Sequence, residues 1–125
     1  MWKIYYKIKD WRYEIKWAFQ RAFRGYDDTA YWGLNSYITE IALPVLKWYR
    51  KEKTGFPVLD NTEKMSDNQQ EEEWNKILDK MIYSFQLIHN DEYGDKEDWD
   101  KYYNEQDKIK EGLELFAKYF NALWD

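Results

Sequence analysis

The chain has 125 residues and a formal net charge of −5, from 19 Lys and Arg against 24 Asp and Glu. Eight Trp, twelve Tyr and six Phe make it 21% aromatic, which excludes disorder and calls for a packed core, and the absence of Cys excludes disulfides, thiolate metal sites and a cysteine nucleophile. No apolar run reaches membrane-spanning length and the start alternates Lys with aromatics, unlike a signal peptide, so one soluble cytoplasmic domain over 1–125 is expected.

The first helical pattern runs through Ile4, Ile8, Trp11, Ile15, Ala18 and Ala22, at spacings of four and three that mark one face of a helix. Arg24-Gly25 supplies a cationic last turn and a glycine stop, and Asp27 or Asp28 then offers an N-cap. The second pattern places Tyr31, Leu34, Ile38, Ile41, Val45 and Trp48 on one side, with Pro44 predicting a kink or break near Ile41–Leu43. The short Gly25–Asp28 link makes these two helices an antiparallel hairpin.

Residues 53–69 form a long loop that holds Gly55-Phe56-Pro57 and ends in a capping box, Ser66 with Gln69 or Asp67 with Gln70. Glu71, Glu72 and Glu73 follow in the first turn of a third helix, where the dipole favours them, and Trp74, Ile77, Leu78, Met81, Phe85 and Ile88 define its apolar face. Tyr93-Gly94-Asp95 reads as a turn, with Asp95 capping a fourth helix along Trp99, Tyr102, Gln106, Ile109, Leu113, Phe116, Phe120 and Leu123. The fold expected is all-α, an antiparallel bundle of about four helices with the second kinked near Pro44.

Charge is unevenly placed: residues 1–53 carry 11 basic and 6 acidic side chains, residues 54–125 carry 8 and 18. Mutual attraction between helices accounts for this without a partner. The acidic balance and the absence of a recognition motif argue against direct binding of duplex nucleic acid.

Catalytic patterns are sparse. His89, the single histidine, has Gln86 where a Glu-x-x-His metal motif needs its carboxylate, so it reads as a surface residue near a helix C-terminus. Centring an EF-hand loop on Gly94 puts His89 at its first ligand position, the wrong chemistry. Glu111 and Glu114 have the Glu-x-x-Glu spacing of helical magnesium-dependent nucleotide pyrophosphohydrolases but lack a second pair after them; Glu92/Asp95 and Glu97/Asp100 fall in or beside a turn. No metal, cofactor or catalytic residue is assigned, and the expectation is a non-enzyme.

The first helix offers more. Trp2, Tyr6, Tyr13 and Trp17 fall opposite its aliphatic stripe, flanked by Lys9, Lys16 and Arg24. Rings beside cations suit a wider core or self-association into a homo-oligomer, with Lys stems covering the rings, or else a protein interface or a nucleotide-like ligand.

Arg21-Ala22-Phe23-Arg24-Gly25-Tyr26-Asp27-Asp28, Trp32-Gly33-Leu34-Asn35-Ser36-Tyr37-Ile38, Gly55-Phe56-Pro57, Glu73 to Ile82 and the ending Leu115 to Asp125 stand in an order and spacing that resembles a widespread family of small uncharacterised proteins of tailed bacteriophages. The resemblance spans roughly residues 20–125 and transfers no catalytic residue. It implies an accessory protein of the infected cell, one that masks a host protein or sequesters a signalling nucleotide. It also draws Asp28, Trp32, Asn35 and Tyr37 into the candidate site, with the Phe56-Pro57 loop expected to close over Arg24, Asp28 and Trp32; the plainer alternative is that Asp28 caps the next helix and pairs with Arg24. The class-distinct alternatives are a small magnesium-dependent nucleotide hydrolase and a structural or assembly protein.

Overall fold

The computed structural model describes residues 11–60, 62–90 and 98–124. Every regular element among them is helical: α1 (Trp11–Arg24), α2 (Thr29–Trp32), α3 (Leu34–Glu52), α4 (Asp67–Asn90), α5 (Trp99–Lys118) and a closing 3₁₀ turn, Phe120–Ala122. The protein is all-α, as its periodicity requires. The chain divides between Ile38 and Thr39 into two units.

Local signals set most of the element ends. Gly25 stops α1 with φ +86°, a left-handed conformation that disfavours other residues, while its amide donates to the Arg21 carbonyl. Ser66 and Gln69 form the reciprocal capping box: the Ser66 amide donates to Gln69 Oε1 at 3.1 Å and the Gln69 amide to Ser66 Oγ at 3.3 Å. Two ends differ from the sequence reading. The second helix is interrupted at Gly33, between α2 and α3, and continues through Pro44 without a break. Asp98, and not Asp95, caps α5, accepting from the Lys101 amide at 3.0 Å; Asp95 lies outside the described residues.

The second unit is a helical bundle built on α4. Trp74, Leu78 and Met81 are fully buried there, joined by Phe85, by Leu43 and Leu46 of α3, and by Leu59 of the loop. Each such aliphatic or aromatic side chain contributes on the order of 2 kcal/mol by leaving water. Tyr49, Phe56, Leu115, Phe116 and Tyr119 pack around this cluster. The long 53–66 connection is anchored to it, because Leu59 is buried and Thr62 Oγ1 donates to the Leu59 carbonyl at 2.7 Å. Helices α3 and α4 run antiparallel, as the pairs Lys47–Gln86, Arg50–Asp79 and Lys53–Glu71 show. Helix α5 returns along α4, with Lys80 Nζ 2.7 Å from Glu111 and Ser84 Oγ donating to the Ile109 carbonyl at 2.8 Å.

The third helical pattern identifies its buried face correctly; the second does not. Leu34, Ile38, Ile41, Val45 and Trp48 are all exposed, as is Tyr31, and α3 instead buries Thr39, Leu43 and Leu46. Both stripes obey helical spacing, so the period marks a helix without deciding which apolar side faces the core. On α5 the residues buried are Glu105, Ile109 and Gly112; of the expected stripe Ile109 is buried and Tyr102, Gln106 and Phe116 are half-buried, while Trp99 and Leu113 are exposed, as is Phe120 of the 3₁₀ turn. Gly112 faces α4 where a Cβ would collide with Ser84 and the Lys80 carbonyl, and that close approach turns this side of α5 inward.

Candidate functional site

The first unit carries the site nominated from sequence. Helix α1 has cationic residues at Arg12, Lys16, Arg21 and Arg24, and Gly25 turns the chain back so that α2 lies against it. Trp17 is the residue of α1 that becomes buried, at 7% exposure. Its ring stacks with Tyr13 at 5.9 Å between centroids and meets Trp32 of α2 edge-on at 5.7 Å.

A polar clasp closes the corner. Asp28 accepts from Gln20 Nε2 at 3.1 Å and from Arg24 Nη2 at 2.8 Å, with Lys16 Nζ 3.6 Å away, while the Asp28 amide donates to Gln20 Oε1 at 3.0 Å. The hydrogen bonds from Gln20 and Arg24, with both cations close by, hold the Asp28 carboxyl below the usual carboxylate range. Arg24 also donates to the Tyr26 carbonyl and lies 4.6 Å above the Tyr26 ring. Asp27, only 3% exposed, accepts from the Thr29 amide and hydroxyl and from Arg21 Nη1 at 2.6 Å. Burial pushes the Asp27 carboxyl up, but the bonds from Thr29 and Arg21 outweigh it, and the group stays ionised below its ordinary range.

The structure therefore brings Tyr13, Lys16, Trp17, Arg24, Asp28 and Trp32 into one cluster. Asn35 and Tyr37 lie in the first turn of α3, beyond the Gly33 break. Trp2, Tyr6 and Lys9 fall outside the described residues. Phe56 packs on the core of the second unit. The cluster takes the plainer of its expected forms: Arg24 pairs with Asp28, although the Asp28 side chain makes no cap hydrogen bond. Trp17 is covered by other rings, and the positive charges of Lys16 and Arg24 face the Asp28 carboxylate, so the cluster works as the first unit's own core and clasp.

The opposite side of α1, expected to be its core stripe, is the open one. Trp11 is 68% exposed, Ile15 47%, Phe19 60% and Phe23 84%, with Ala18 and Ala22 exposed beside them. These four large side chains recur every fourth residue and form one ridge, on which the Phe19 and Phe23 rings lie nearly parallel at 6.1 Å. Helical spacing does not single out Phe19 and Phe23, because they stand one position past the Ala18 and Ala22 that fit the stripe.

The carboxylate pair nominated for magnesium is differently engaged. Glu111 lies 2.7 Å from Lys80 Nζ and 3.7 Å from Lys108 Nζ, and the Lys80 hydrogen bond holds its carboxyl below the usual range; Glu114 pairs with Lys110. No group of three His, Asp or Glu side chains among the described residues is placed to hold a metal ion. His89 is exposed in the last turn of α4. Among the described residues, no helix is long and apolar enough to cross a membrane.

No protein-family model, curated protein or solved structure matches the chain.

Proposed function

We propose that the protein is a non-catalytic binding protein whose docking element is the exposed ridge of α1. The single observation that carries this reading is the ridge itself: Trp11, Ile15, Phe19 and Phe23 open to solvent on one helix, with Trp17 already filling the local core on the other side. Aromatic residues flanked by arginine are the composition of energetic centres in protein interfaces, and a contiguous apolar helix face of this kind marks an interaction site.

A protein partner is favoured over a signalling nucleotide at this end of the chain. The cations that would meet a phosphate, Lys16 and Arg24, are turned onto Asp28, whereas the ridge presents rings and aliphatic groups without a charged centre. With the resemblance to small phage proteins, the reading becomes an accessory protein in the cytoplasm of an infected host cell, blocking a host factor by covering its surface. The pairing of Glu111 with two lysines supports binding over metal-assisted hydrolysis, since a carboxylate so placed already has its counter-charges.

The test is site-directed photo-crosslinking in host cells, with the photoreactive residue at Phe19 and, as a control, at the exposed Glu114. A single host protein captured in stoichiometric yield from position 19 and not from 114 supports the reading. Capture of a second copy of the chain instead replaces it with self-assembly, and no capture from position 19 refutes it.

A further inference from the structure

The second unit holds a groove of about 530 Å³, bordered by the C-terminal end of α3, the Thr54–Pro57 segment and the 3₁₀ turn with the residues after it. Its volume falls in the range of small-molecule sites. Three of its rings are fixed from behind, since Tyr49, Phe56 and Tyr119 all pack on the buried cluster, and Tyr119 also meets Trp74 edge-on at 5.6 Å. The fourth, Trp124, is 75% exposed, and its backbone carbonyl accepts from the Tyr49 hydroxyl at 3.3 Å. The space above Gly55 is open where a side chain would otherwise stand.

One cation borders these rings. Lys118 Nζ lies 5.1 Å from the Tyr119 centroid and 3.2 Å from Asp60 Oδ2. Both members of that pair are largely exposed, so Lys118 can exchange the Asp60 carboxylate for another anion with little loss. Asn121 adds an exposed amide able to both donate and accept at the same wall.

The geometry points to a binding site for a planar aromatic anion of nucleoside-monophosphate size. Its ring lies against Tyr49, Phe56 and Tyr119, Trp124 closes over the opposite face, and Lys118 leaves Asp60 to meet the anionic group. Fixed rings on one side and an exposed ring on the other form a site in which only Trp124 and Lys118 need to reorder. This site is independent of the α1 ridge and uses none of its residues.

Calorimetric titration of the full chain tests it, with AMP as the probe, adenosine as the ring without the anion, and inorganic phosphate as the anion without the ring. AMP is expected to bind saturably, adenosine about tenfold more weakly, and phosphate alone not measurably. Lys118→Ala and Trp124→Ala should each weaken AMP binding about tenfold, and Lys118→Arg should retain it. Both positions are exposed, so circular dichroism should show unchanged helicity, and Phe19→Ala on α1 should leave AMP binding intact. Absence of AMP binding at about 10 mM, or equal binding by wild type and both variants, overturns the site. Adenosine binding as tightly as AMP overturns the assignment to an anion.

Discussion

Gly112 of α5 and Ser84 of α4 meet where the two helices pass, so closely that a methyl group added to Gly112 would lie 2.2 Å from the Ser84 Cβ and 2.6 Å from the Lys80 carbonyl oxygen. The same approach lets Ser84 Oγ reach the Ile109 carbonyl at 2.8 Å, a buried hydrogen bond between helices. Gly112→Ala gains about 1 kcal/mol of helix propensity, but the overlap involves backbone and cannot be relieved by a rotamer change. A net destabilisation of about 2 kcal/mol is expected by urea denaturation. Ser84→Gly should partly rescue Gly112→Ala, because it removes the Cβ that is struck, and the double-mutant cycle will show that coupling.

Ser84→Ala separates the hydrogen bond from the packing. It keeps the Cβ and leaves the Ile109 carbonyl without its side-chain partner. A loss of about 1 kcal/mol in unfolding free energy is expected, with unchanged helicity.

The two faces of α1 should respond oppositely to truncation. Trp17→Ala empties the space shared with Tyr13 and Trp32, and a loss of about 3 kcal/mol is expected in the first unit's local stability, read as faster amide exchange over residues 11–38. Phe19→Ala and Phe23→Ala remove exposed rings and should change stability by no more than about 0.5 kcal/mol. Capture of the partner from position 19, in contrast, should be lost with Phe23→Ala.

Asp27 ties the same corner to pH. Its folded carboxyl is held below the unfolded value, so its stabilising contribution is complete above about pH 4 and disappears as pH falls through the folded pKa. Asp27→Asn breaks the ion pair with Arg21 and should cost about 2 kcal/mol near neutral pH. The gap between wild type and variant should narrow as acid protonates Asp27, measured as exchange protection over residues 11–38 between about pH 7 and about pH 3.

Particular residues show how far the sequence could be read. The capping box of Ser66 and Gln69, the Gly25 stop and the apolar face of α4 were all legible, because each depends on residues within one or two turns of each other. The candidate cluster of Lys16, Trp17, Arg24, Asp28 and Trp32 was legible as a set for the same reason, since the chain turns only once between its members. Its role was not. Whether Trp17 or Phe19 faces water depends on Trp32 lying over one of them, and α1 is apolar on both sides. The aromatic groove was equally hidden, because Tyr49, Phe56 and Trp124 are far apart in the chain and share no periodicity.

Helical class, the capping box and the glycine stop follow from local spacing, turn chemistry and backbone freedom, and the sequence alone determined them. The sequence also required an aromatic core, but it carried more apolar rings than one core face per helix can hold. Tertiary structure decided which apolar side chains are buried: Leu43 and Leu46 over Ile41 and Val45 on α3, Trp17 over Phe19 on α1, and on α5 the side where Gly112 admits Ser84. The reason is steric. A helix with two apolar faces has two comparable burial options in isolation, and only the shape of its neighbours distinguishes them.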